Sequence, residues 1–130
     1  MYKIEKTRFG FKLTFEGYIK CDEMQAWLNK SYKMLRDAPE KFEVFADMRA
    51  LLPLPSDAQT LMKEGQQLYK KNGMTHSLSI VKNPVTHMQF TRFARESDVH
   101  NMRTYLDASR HTIWEKFGVD ELTQAMEAHA

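Results

Sequence analysis

The chain has 130 residues, 42% hydrophobic and 28% charged, the profile of one globular domain with a core of its own. Its net charge of +2 is spread evenly over both halves, so nucleic acid is not an expected partner, and there is neither an acidic tail nor a basic arm. One cysteine, Cys21, excludes an internal disulfide framework and a multi-thiol zinc site.

The single thiol fits a reducing, cytoplasmic setting. The opening residues "MYKIEKTRFG" lack an apolar h-region and read as no signal peptide. No apolar run approaches the ~18 residues of a membrane span, although contact with a membrane surface stays open. Nine methionines is a high count, suited to an adaptable core or a forgiving apolar pocket.

"YKIEKTRFGFKLTFEGYI" alternates at Tyr2, Ile4, Phe9, Phe11, Leu13 and Phe15, and predicts two strands joined by a turn or one strand bent near Gly10. In "CDEMQAWLNKSYKMLRDAP", Met24, Trp27, Leu28, Tyr32 and Leu35 recur at helical spacing. Asp22 and Gln25 fit a capping box there, and Pro39 stops the helix. "KFEVFADM" is a short buried strand. After the loop "RALLPLP", Ser56 and Gln59 form an S-x-x-Q capping box, so Ser56 reads as an N-cap. That second helix carries Ala58, Leu61, Met62, Gly65, Leu68 and Tyr69 on one stripe and ends at Asn72-Gly73. A glycine on such a stripe predicts close packing on a sheet.

"HSLSIV" is the next strand, and Asn83-Pro84 opens the helix "VTHMQFTRFARES". "NMRTYL" reads as a last short strand. Asp107 caps "ASRHTIWEKFG", and Asp120 opens a final turn or two, "ELTQAMEA". The expected order is β-β-α-β-α-β-α-β-α in a single domain, residues 1–130. That order implies an α/β fold with a mixed sheet of four or five strands, largely parallel, with the leading hairpin contributing an antiparallel strand.

The histidines His76, His87, His100, His111 and His129 show no ligand spacing, so no metal site is expected. His87, Arg92 and Arg95 give the third helix a basic side opposite Phe90, Phe93 and Ala94, the pattern of an ordinary amphipathic helix. No nucleophile elbow, phosphate-binding glycine loop, dinucleotide fingerprint or paired-carboxylate motif occurs, so neither an enzyme nor a cofactor is expected.

The loop between the third strand and second helix is the unusual feature. Loops favour Gly, Asn, Ser and charge, but this one holds Leu51, Leu52 and Leu54 with Pro53 and Pro55 among them. Either the leucines fold down over the end of the core, or they stand exposed as a contact for a partner, membrane or ligand. Asp47, near the carboxyl end of a parallel strand, is either a ligand-crevice residue or a loop-ordering carboxylate.

With these elements in place, the chain resembles the STAS domain (sulphate transporter and anti-sigma-factor antagonist), most closely the bacterial SpoIIAA-like, or STAS-like, proteins. The resemblance covers nearly the whole chain and is carried by "GYI", "FADMRAL" and "LDASRHTIWEKF". It implies helices mainly on one face of the sheet and a regulatory role without catalysis. In phosphorylatable relatives an aspartate ends the third strand, and a D-[ST]-[ST]-[GA] motif opens the second helix. Asp47 matches that aspartate, Ser56 falls at the phosphoacceptor position and Ala58 at the small residue two beyond. Pro55 and Asp57 stand where the motif has an aspartate and a second hydroxyl. The resemblance therefore implies a protein partner at the 50–56 loop and second helix, through Leu51, Leu52, Leu54, Asp47, Ala58 and Met62. The alternative is an apolar small molecule or lipid beneath the same loop. Oligomeric state stays open, a homodimer included.

Overall fold

The computed structural model describes residues 1–99 and 102–107. Its elements are β1 (Tyr2–Lys6), β2 (Gly10–Gly17), α1 (Cys21–Leu35), β3 (Phe42–Leu51), α2 (Ser56–Lys71), β4 (Met74–Val81), α3 (Pro84–Glu96) and β5 (Arg103–Asp107). The helices expected after Asp107 lie outside the described residues. The fold is α/β with a mixed sheet, whose five strands lie side by side in chain order. β1 pairs antiparallel with β2, and every later neighbour is parallel.

"YKIEKTRFGFKLTFEGYI" is thus two strands. Their turn closes with Thr7 and Gly10 exchanging backbone bonds of 2.9 and 3.3 Å. Gly10 has φ +149, and a Cβ there would run into the Glu43 carbonyl of β3, so only glycine fits where β2 begins to pair.

Alternation along the strands builds the core. Phe11, Leu13, Val44, Ala46 and Met48 face α1, α2 and α3, and Phe42 joins Trp27, Tyr69, Phe90 and Phe93 in the same cluster. Phe45, Asp47 and Ile80 point from the opposite face, where Phe45 and Ile80 are also fully buried.

α1 departs from its expected stripe. Ser31, not Tyr32, is buried, and its hydroxyl meets the Tyr69 hydroxyl at 2.8 Å, so a polar pair sits in the helix–helix seam. Tyr32 lies on the flank, 45% exposed. The Asp22–Gln25 capping box does not form. Lys20 stands at the N-cap, Asp22 accepts only from the adjacent Glu23 N–H, and the Gln25 amide turns along the helix to Asn29.

α2 packs on α1 through Gly65, on which the Trp27 indole lies. A Cβ at Gly65 would fall inside ring carbons Cη2 and Cζ3. The close packing expected of this glycine is therefore against a helix, not the sheet. Trp27 in turn stacks on Tyr69 at 5.9 Å and 5°, and meets Phe15 edge-on at 5.4 Å. Asn83 caps α3 as expected, accepting from the Val85 and Thr86 N–H groups at 2.9 and 3.1 Å. No helix among the described residues is long and apolar enough to cross a membrane.

Candidate functional site

β3 runs three residues beyond the predicted "KFEVFADM", to Leu51, which pairs with Gly17. The connection is therefore only residues 52–55, and its composition follows from where its backbone groups go. Pro53 and Pro55 have no N–H to satisfy. The Leu52 N–H bonds the Gly17 carbonyl at 3.1 Å. The Leu54 peptide is gripped by one side chain of α3: its N–H donates to Gln89 Oε1 at 2.8 Å, and its carbonyl accepts from Gln89 Nε2 at 3.1 Å. Gln59 of α2 adds a bond to the same carbonyl at 2.8 Å, and the Thr86 hydroxyl holds the Leu51 carbonyl at 3.1 Å. With both N–H groups of the connection and the Leu51 and Leu54 carbonyls paired, the side chains are free to turn inward. Leu51 and Leu54 join the core, and only Leu52 stands out, 48% exposed.

The sequence-predicted site residues are thereby separated. Leu51, Leu54, Ala58 and Met62 are buried in the core. Asp47 lies within β3, four residues before its end, rather than closing the strand as the resemblance implies. It accepts from the Arg49 N–H at 3.2 Å and pairs both oxygens with the Arg49 guanidinium at 3.1 Å. Residues two apart on a strand share a face, which makes that fork available. The pair borders an open crevice of about 420 Å³ at the carboxyl ends of the strands, with Glu16, Ala50 and Lys82 on its other sides.

Ser56 is not an N-cap. Pro55 occupies that position with no side-chain acceptor, and the Gln59 N–H bonds the Pro55 carbonyl at 3.0 Å, already an i→i−4 helical bond. Ser56 is the first residue of α2 and is exposed, with Asp57 accepting from the Ala58 N–H beside it at 2.8 Å. Cys21 faces Asp57. Partial burial first, then the Asp57 charge and hydrogen bond, push its thiol up, away from thiolate chemistry.

Sequence periodicity missed two features. First, Tyr18, Leu52, Val85 and Met88, four of the six exposed large hydrophobics among the described residues, all belong to the strand carboxyl end. Tyr18 follows the Gly17 that holds Leu52, and Val85 and Met88 flank the Thr86 and Gln89 that hold Leu51 and Leu54. Val85 and Met88 lie one turn apart on α3, whereas Tyr18 and Leu52 come from two other connections, so only the fold brings the three segments to one end. Second, a core cavity of about 30 Å³ lies between the sheet and the helices, with Trp27, Met48, Met62, Gln66, Met74 and Phe90 in its wall. Gln66 is 4% exposed, and neither its Oε1 nor its Nε2 has a partner, nor does the buried Trp27 Nε1. Each buried unpaired group costs about 1–3 kcal/mol. The sequence signal was a glutamine beside the apolar stripe of α2, within one turn of Met62 and Tyr69.

Among the described residues, no cluster of His, Cys, Asp or Glu could hold a metal ion. Comparison of the chain with protein-family models, with curated proteins and with solved structures finds no match to any of them.

Proposed function

We propose that this chain is a non-catalytic, STAS-like interaction module whose protein partner docks on the carboxyl end of the strands, over Leu52 and Met88. The observation that carries the reading is the gathering of Tyr18, Leu52, Val85 and Met88 at that end, with Met88 72% exposed. Solitary exposed apolar residues need no explanation, but a group at one end of a fold marks an interaction surface. Glu16 and Lys82 line the crevice at the same strand ends, polar neighbours of the kind interfaces place around an apolar centre. The non-catalytic part is supported by the groups nearby: the Asp47 carboxylate is engaged by Arg49, and the Cys21 thiol is pushed away from ionisation.

The test is a photo-crosslinking amino acid placed at Leu52, or at exposed Lys3 on β1, in cells of the native host. A discrete adduct from position 52 and none from position 3, lost when Met88→Asp is added, supports the reading. Adduct mass tells a foreign partner from a second copy of this chain. The same adducts from both positions, or none from position 52, sink it.

A further inference from the structure

We propose that the methionine-walled cavity beneath α2 is the binding site of a small neutral amphiphile, a molecule with one hydroxyl or carboxamide head and a short apolar tail. The polarity of the wall sets the head. Gln66 Oε1 needs a donor, while Gln66 Nε2 and Trp27 Nε1 need acceptors, and all three atoms are buried and unpartnered. A hydroxyl or a primary carboxamide both donates and accepts, so either can satisfy the set. A carboxylate only accepts and would bring an uncompensated charge into a wall that contains no cation. A hydrocarbon leaves all three atoms as they are.

The remaining wall sets the tail. Met48, Met62, Met74 and Phe90 are apolar; of the other polar wall residues, Tyr69 is already bonded to Ser31, and Ser77 adds one hydroxyl. A volume of about 30 Å³ takes a hydroxyl head, or water, without rearrangement, whereas the three heavy atoms of a carboxamide already need the wall to give. A tail has to displace side chains, and methionine, unbranched and with three rotatable bonds, yields more readily than leucine or isoleucine. The site is separate from the strand-end surface proposed for a partner, so either assignment stands or falls alone.

The experiment titrates the whole protein with 1-propanol to 1-hexanol, with propionamide to hexanamide, and with 1-chloroalkanes of matching length as headless controls. Binding is read from the Trp27 indole N–H resonance, identified by its loss in Trp27→Phe, and from Tm. In the wild type, alcohols and amides should shift that resonance saturably and raise Tm, with the chloroalkanes about three- to tenfold weaker. Gln66→Met keeps the volume and removes two of the three unpartnered atoms, so it should fold well and lose that preference for a head. Equal binding of headless and headed compounds by the wild type overturns the proposal. So does an absence of any saturable shift, with ordered water alone in the cavity of a crystal.

Discussion

Gly65→Ala should destabilise the protein, although alanine is the better helix former by about 1 kcal/mol. The reason is the Trp27 indole, which lies where the new methyl would go. Trp27 is 2% exposed, and retreating into the small cavity beside it gives up its stack on Tyr69 and its edge contact with Phe15. Those two ring contacts are worth about 0.5–1.5 kcal/mol each beyond area burial, and overpacking a tight core costs about 1–3 kcal/mol in total. Setting about 2–3 kcal/mol of crowding against the propensity gain leaves a net loss of about 1–2 kcal/mol. Urea unfolding measures it directly, as a lower midpoint at unchanged slope. Trp27→Phe removes the benzo ring that meets the methyl, so in that background the same substitution should cost much less, and the double-mutant cycle reports the coupling. A Gly65→Ala protein as stable as wild type, or a cycle with no coupling, refutes the packing described here.

The two helix starts with hydroxyl or amide residues should behave oppositely. Asn83→Ala removes a cap that satisfies two N–H groups and should cost about 1 kcal/mol, whereas Ser56→Ala, whose side chain caps nothing, should stay within about 0.5 kcal/mol by urea unfolding; an equal loss at both would restore Ser56 as a cap. Burial pushes the Tyr69 phenol from its ordinary 10.0 up to about 12, with the Ser31 bond pulling the other way. The folded state thus favours the protonated phenol: below pH 10 the shift has no effect, and stability falls by about 3 kcal/mol as pH rises from about 10 to about 12. The phenolate absorbance lost in Tyr69→Phe should therefore appear late, and its appearance near pH 10 in folded protein would contradict the burial.

Strand alternation and helical stripes placed the elements from α1 to β5 and left only the choice between two strands and one bent strand over residues 2–17, because burial on one face writes a period into the residues. The Asn83-Pro84 start was legible for a similar reason, since the side-chain acceptor and the missing N–H act within three residues. The other two capping boxes failed because the motif does not say which competing bond wins. At α2 the Pro55 carbonyl took the Gln59 N–H, and at α1 Gln25 found Asn29 instead. The burial of the loop leucines stayed open in the sequence for a non-local reason. Whether Leu54 turns inward depends on a partner for its peptide, and that partner, Gln89, is 35 residues away. Ser31 and Gln66 show the same limit: each reads as a polar residue beside a stripe, and only the facing helix or cavity gives it a role.

The Gln89 clamp has a consequence for association. A binding loop that fluctuates when free must surrender that freedom on contact, which subtracts from affinity at about 0.5–1.5 kcal/mol for each side chain immobilised. Leu52 is followed by Pro53, whose φ is ring-locked, and by the Leu54 peptide that Gln89 grips, and its own N–H is tied to Gly17. Most of the ordering needed to present it is complete before any partner arrives. Loosening the clamp from α3, without touching the exposed leucine, should then weaken association chiefly through its entropy.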